Sequence, residues 1–156
     1  MALIVMAMMG ASVMANTHHS EESAYPEAVQ DSTSDKSAAK PWKCTLKCEE
    51  EKTQMVIDLY EETVDVPGMD MFGPMNGYLG GNIYGVWSIT SCSITDDRHA
   101  KLRLSNDLGS ETQECILSIE DDGTYRLSMK GSTVVKRVEK KKLVKVSSTM
   151  VFNRTK

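Results

Sequence analysis

Met69, Met71 and Met75 fall within seven residues in "GMDMFGPM", and thioether sulfur is a soft donor of the kind that holds Cu(I). A second copper-binding pattern lies near the start of the chain. Cleavage after Ala15 leaves Asn16-Thr17-His18, whose amine, two amides and imidazole can wrap Cu(II) or Ni(II) in a square plane, with His19 as a weak axial donor. Copper is the one cofactor these residues suggest. The same methionines, with Phe72 in their midst, read equally as an adaptable apolar latch against a sheet or a partner.

Cys44, Cys48, Cys92 and Cys115 are the four cysteines. Three residues separate the first two, which is not a thioredoxin-type spacing, and no second pair completes a zinc site. In an oxidising compartment they read as disulfides of open connectivity. Cys92 with Cys115 would tie two strands together, and each with one of Cys44 and Cys48 would pin the preceding segment to the sheet. Catalytic patterns are missing. The histidines are His18, His19 and a turn residue, His99, and the carboxylates cluster as "EEE", "DD" and "EDD" where turns or helix starts solvate them.

A basic stretch, "KRVEKKKLVK", runs from Lys136 to Lys145, with Lys140, Lys141 and Lys142 at its centre. It offers contact with an anionic surface or partner. It also reads as a solvated hairpin tip whose lysines discourage edge pairing. The formal net charge of the whole chain is −4, which argues against a general nucleic-acid binder.

The elements that would position these groups follow from length and pattern. At 156 residues the chain makes one domain. Residues 1–15, "MALIVMAMMGASVMA", read as a signal peptide without a basic n-region, too short for the ~20 apolar residues of a membrane span. The protein is therefore expected to be exported, to a periplasm or the extracellular space, or into an organelle lumen. Residues 16–43 are polar, acidic and poor in bulky apolar side chains, as expected of a disordered tail.

Residues 44–81 pair one regular element with a loop. Glu49 to Val64 fits a helix with an acidic start, or Thr53 to Val66 fits a strand; its length and the dipole argument favour the helix. Pro67-Gly68 and the glycines and prolines that follow predict a loop. Residues 82–156 change to period-2 alternation. Six strands are predicted: Ile83–Thr95, "AKLRLS", "TQECILSIE", "TYRLSMKG", "STVVKRVE" and "KLVKVSSTMVFN". The fold class is mainly β: an antiparallel six-stranded meander, partly or fully closed into a small barrel, with one preceding helix or extra strand.

The stretch "NIYGVW", Asn82 to Trp87, resembles the opening signature of the lipocalin-like (calycin) barrels, through Asn82, Tyr84, Gly85 and Trp87. The resemblance is confined to this strand and the meander after it, and Ser88 stands where the family usually has a bulky residue. Members of that family usually have eight strands, whereas the residues after Trp87 suffice for six; the resemblance implies a barrel whose Trp closes the floor beneath a cavity for a small apolar ligand. Trp87, Tyr84, Leu102, Leu117, Leu127 and Met150 are then the expected lining.

The function this supports is a non-catalytic exported binding module that holds a small apolar ligand or a protein partner. An alternative is an accessory subunit docking through the 67–81 loop, with Met69, Met71, Phe72 and Met75, together with the 136–145 basic hairpin. Copper binding is a third.

Overall fold

The computed structural model describes residues 40–108 and 110–155. The expected signal peptide, His18 and all of the expected tail before Lys40 lie outside the described residues.

Eight antiparallel strands form a closed barrel: β1 (Lys43–Cys48), β2 (Thr53–Asp58), β3 (Gly77–Gly81), β4 (Trp87–Asp96), β5 (His99–Asn106), β6 (Thr112–Ile119), β7 (Tyr125–Met129) and β10 (Thr149–Arg154). Each pairs with the next, and β10 closes on β1 with Leu46 opposite Arg154. Between β7 and β10 the chain makes a separate two-stranded hairpin, β8 (Lys136–Glu139) and β9 (Lys142–Lys145).

Strand number and the preceding helix are both corrected by this architecture. Residues 49–64 contain no helix: Glu49 to Lys52 turn the chain, and β2 follows. Alternation decides it. Leu46, Cys48, Thr53, Met55 and Ile57 are buried while Lys47, Gln54 and Val56 are more open, the period-2 pattern of two strands lining one core. Residues 77–81, expected to be loop, are strand β3. A Cβ at Gly77 would lie 2.1 Å from the Val56 carbonyl oxygen, so this glycine lets two backbones approach within a strand pair. Conversely, two of the six expected strands are redistributed. "STVVKRVE" and the first part of "KLVKVSSTMVFN" make the hairpin, and only Thr149 onward joins the barrel.

Side chains fill the barrel. Leu46, Met55, Leu79 and Trp87 stand opposite one another across four successive strands. Ala100, Leu117, Leu127 and Met150 make a similar row across β5, β6, β7 and β10. All eight are buried. Trp87 plugs one end of the barrel. Its indole N–H donates to the Tyr84 carbonyl at 3.2 Å, which also accepts from the Asn106 amide at 3.0 Å. Trp42 covers the other end, edge-on to Tyr125 at 6.2 Å, whose hydroxyl donates to the Pro41 carbonyl at 2.7 Å.

Strand direction assigns every connection to one end or the other. The Trp87 end carries turns 49–52, 82–86 and 107–111 and the whole segment 130–148. The Trp42 end carries 59–76, 97–98 and 120–124. The methionine loop and the basic hairpin, the two expected docking elements, sit at opposite ends.

Candidate functional site

The Trp42 end is organised by one carboxylate. Asp58 ends β2, is buried, and pairs with the Lys43 ammonium at 2.7 Å. Thr63 donates its hydroxyl to the same carboxylate at 2.5 Å, and the Tyr60 and Glu61 amides donate at 3.2 Å. Burial pushes the Asp58 carboxyl up, but Lys43, Thr63 and the two amides outweigh it and hold the pKa down to about 2. This charge-assisted cluster turns the chain out of the barrel and launches the 59–76 loop. The loop returns through a bridge between Val64 and Met75 and the bond from the Asp58 amide to the Asn76 carbonyl.

At the loop's outer bend a 3-10 turn, Asp70–Phe72, offers Met71 and Phe72 to solvent, 86% and 66% exposed. Met69 and Met75 are half-buried. Among the described residues no cluster of three or more His, Cys, Asp or Glu could hold a metal.

Beside this loop the barrel wall is incomplete. β4 has ten residues and β3 five, and only Ser88 and Trp87 of β4 pair with β3. From Thr90 to Asp96 no described strand lies on the β3 side. Bulges at Ile89/Ser91 and Ile94/Asp96 bracket this length, which pairs with β5 alone. A concavity of about 300 Å3 opens there, lined by Glu62, Phe72, Pro74, Met75, Ile89 and Thr90. Sequence reasoning missed this site, although the length of the Ile83–Thr95 run against a short neighbour was its one visible sign.

The expected interior ligand site is closed. Trp87, Leu102, Leu117, Leu127 and Met150 are all buried among each other and the rest of the core. Tyr84 is exposed, outside the barrel in the 82–86 turn. A concavity of about 410 Å3 is an open hollow on the outer wall among Ser91, Ser93, Lys101, Arg103, Glu114 and Lys130.

The expected disulfides are replaced by four free thiols. Cys44 and Cys48 lie on one strand, about 13 Å apart at ~3.3 Å per residue. Cys92 and Cys115 both face Leu102 from opposite sides. That is about two strand spacings, roughly 9.6 Å, beyond the ~7 Å reach of a disulfide. Burial pushes the thiols of Cys44 and Cys92 up, and that of Cys115 to about 12, so none of these three is a ready thiolate.

One acid–base pair stands at the Trp42 end. Asp96 accepts from His99 Nδ1 at 2.9 Å, and the Arg98 amide and His99 hold its carboxyl below the usual range. Ser118 is opposite His99 in the strand pairing and lines the same shallow hollow. No hydrogen bond among the described residues joins its hydroxyl to the imidazole.

At the Trp87 end the hairpin carries Lys140, Lys141 and Lys142 at its exposed tip. Among the described residues no helix is long and apolar enough to cross a membrane. No protein-family model, curated protein or solved structure matches this chain.

Proposed function

We propose that this protein is a non-catalytic docking module, a lipocalin-like barrel with a filled interior that binds an extended protein segment on its outside. The observation that carries this reading is the bare edge of β4, Thr90–Asp96, lying next to Phe72 and Met75. An unpaired strand edge offers a row of backbone donors and acceptors to an incoming strand, and a flanking apolar hollow selects its side chains. A carrier of small apolar molecules is the weaker reading, because the side chains that would line its cavity pack against one another instead. Export belongs to the proposal on the strength of residues 1–15 alone, since the cysteines do not form the bridges that would have supported it.

A photo-crosslinking amino acid at position 72, introduced in the native host, tests the reading. One protein adduct of fixed stoichiometry is expected, and Ile94→Lys should remove it by placing a charge on the strand edge. A stoichiometric apolar small molecule retained in native mass spectrometry, with no adduct, would overturn it.

A further inference from the structure

We infer that the β8–β9 hairpin is a membrane-surface anchor that seats the Trp87 end of the barrel on anionic lipid headgroups. The inference is independent of the β4 edge, which lies at the other end.

Three observations converge on the hairpin. The first is its turn. Glu139 pairs with Lys142, leaving Lys140 and Lys141 as the two-residue loop, with φ of 47° and 65°. Both are left-handed, the geometry that Asn-Gly or Gly-Gly fills without strain. Lysine has no conformational reason to stand at either position. Two consecutive lysines there gain their place from what their ammonium groups touch outside the chain.

The second is the pairing behind the turn. Val138 and Leu143 stand directly opposite each other, 56% and 50% exposed, with exposed Lys145 beside them and the Lys140–Lys141 turn beyond. An apolar pair flanked by lysines matches the boundary between headgroups and acyl chains, where ammonium groups meet phosphates and aliphatic side chains enter the layer below. An acidic protein surface would satisfy the lysines but leave Val138 and Leu143 with nothing to enter.

The third is the mounting and the charge around it. The hairpin's root is fixed: Arg137 pairs with Glu51, Lys136 with Glu111 at 2.8 Å, and the Tyr84 amide donates to the Lys136 carbonyl at 2.6 Å. Buried Gln113 accepts from the Val134 amide at 2.9 Å and donates to the Lys130 carbonyl at 3.2 Å. The tip projects from a rigid base. The connections at the Trp87 end hold eight Lys or Arg, seven of them between Lys130 and Ser148, and six carboxylates, whereas those at the Trp42 end hold eight carboxylates and one Arg. The two ends are about 20 Å apart at ~3.3 Å per residue over six residues. That separation exceeds the ~8 Å Debye length, so the hairpin is attracted locally although the chain as a whole is acidic. The same polarity turns the acidic end away from the bilayer.

Flotation with vesicles of phosphatidylcholine alone and of phosphatidylcholine with 30% phosphatidylserine, about the composition that gives a strong surface potential, tests the anchor on the full-length protein. Binding to the anionic vesicles only, falling as salt rises, is expected. K140N/K141G installs the favoured turn, so it should leave thermal stability equal or higher yet weaken vesicle binding at least tenfold. Val138→Ser with Leu143→Ser should weaken it further at high salt. Three results would overturn the inference: no binding to anionic vesicles, K140N/K141G binding as well as the parent, or binding to heparin or polyglutamate in the absence of vesicle binding.

Discussion

Lys43 and Asp58 face each other across the first two strands of the barrel, and their side chains form an ion pair at 2.7 Å. The lysine is half in solvent while the carboxylate is almost wholly enclosed. The asymmetry makes Asp58 the group on which this end of the fold depends, because an enclosed carboxylate is tolerated only where its oxygens are satisfied.

Asp58 should therefore give the protein an acid-sensitive component of stability. Its folded pKa of about 2 lies below the ordinary 3.8, so the stabilisation is present above pH ~4 and is lost as pH falls through about 2. The linked free energy is on the order of 2 kcal/mol. Asp58→Asn should lower urea-unfolding stability by about that amount at pH 7, and the gap between variant and parent should close near pH 2.

The filled interior predicts how the core responds to truncation. Leu117 lies between Ala100 and Leu127 in the cross-strand row, so Leu117→Ala should cost about 3 kcal/mol, a cavity the neighbours cannot close. Long-chain alcohols or fatty acids should leave the parent's melting temperature unchanged, since a ligand that does not bind the native state cannot stabilise it. A rise in that temperature would mean the interior accepts guests.

Gly85 should be intolerant of any side chain. Its φ is +78°, and a Cβ would meet Asp107 Oδ1 at 2.5 Å and Asn106 Oδ1 at 2.8 Å. Those oxygens accept from the Val86 and Leu108 amides and hold the turn beneath Trp87. Gly85→Ala is expected to cost roughly 2 kcal/mol in chemical denaturation and to red-shift Trp87 emission if the turn opens.

Cys44, Cys92 and Cys115, whose thiols burial pushes up, should behave as protonated groups. Ellman's reagent should react slowly with the native protein and count four thiols once it unfolds. Dithiothreitol should leave the melting temperature unchanged. A drop on reduction would show a disulfide that stabilises the fold.

Met71→Ser with Phe72→Ser should leave unfolding within about 0.5 kcal/mol of the parent, because exposed side chains contribute little to the core. The same variant should lose the adduct formed at the β4 edge by a crosslinker placed at Ile94.

Sequence alone determined the local grammar of the C-terminal half. Ala100, Leu102 and Leu104, then Cys115 and Leu117, then Tyr125, Leu127 and Met129, alternate with more exposed neighbours, polar except for Ile116, and each faces the core as alternation requires. That pattern is written within each strand and needs no partner to be read. Strands β1, β2 and β3 were less legible. "EEE" ahead of an apolar run satisfies a helix start as well as a turn, and Gly77 to Gly81 carries the residues of a loop although its glycines serve close backbone contact with β2.

Tertiary structure alone decided the rest. Whether β4 outruns β3, whether the interior is filled, which cysteines can meet, and which end of the barrel carries the lysines all depend on pairing between residues far apart in the chain. Periodicity records which side of a strand a residue occupies. It does not record which strand lies alongside, because that is set by register and closure summed around the whole barrel.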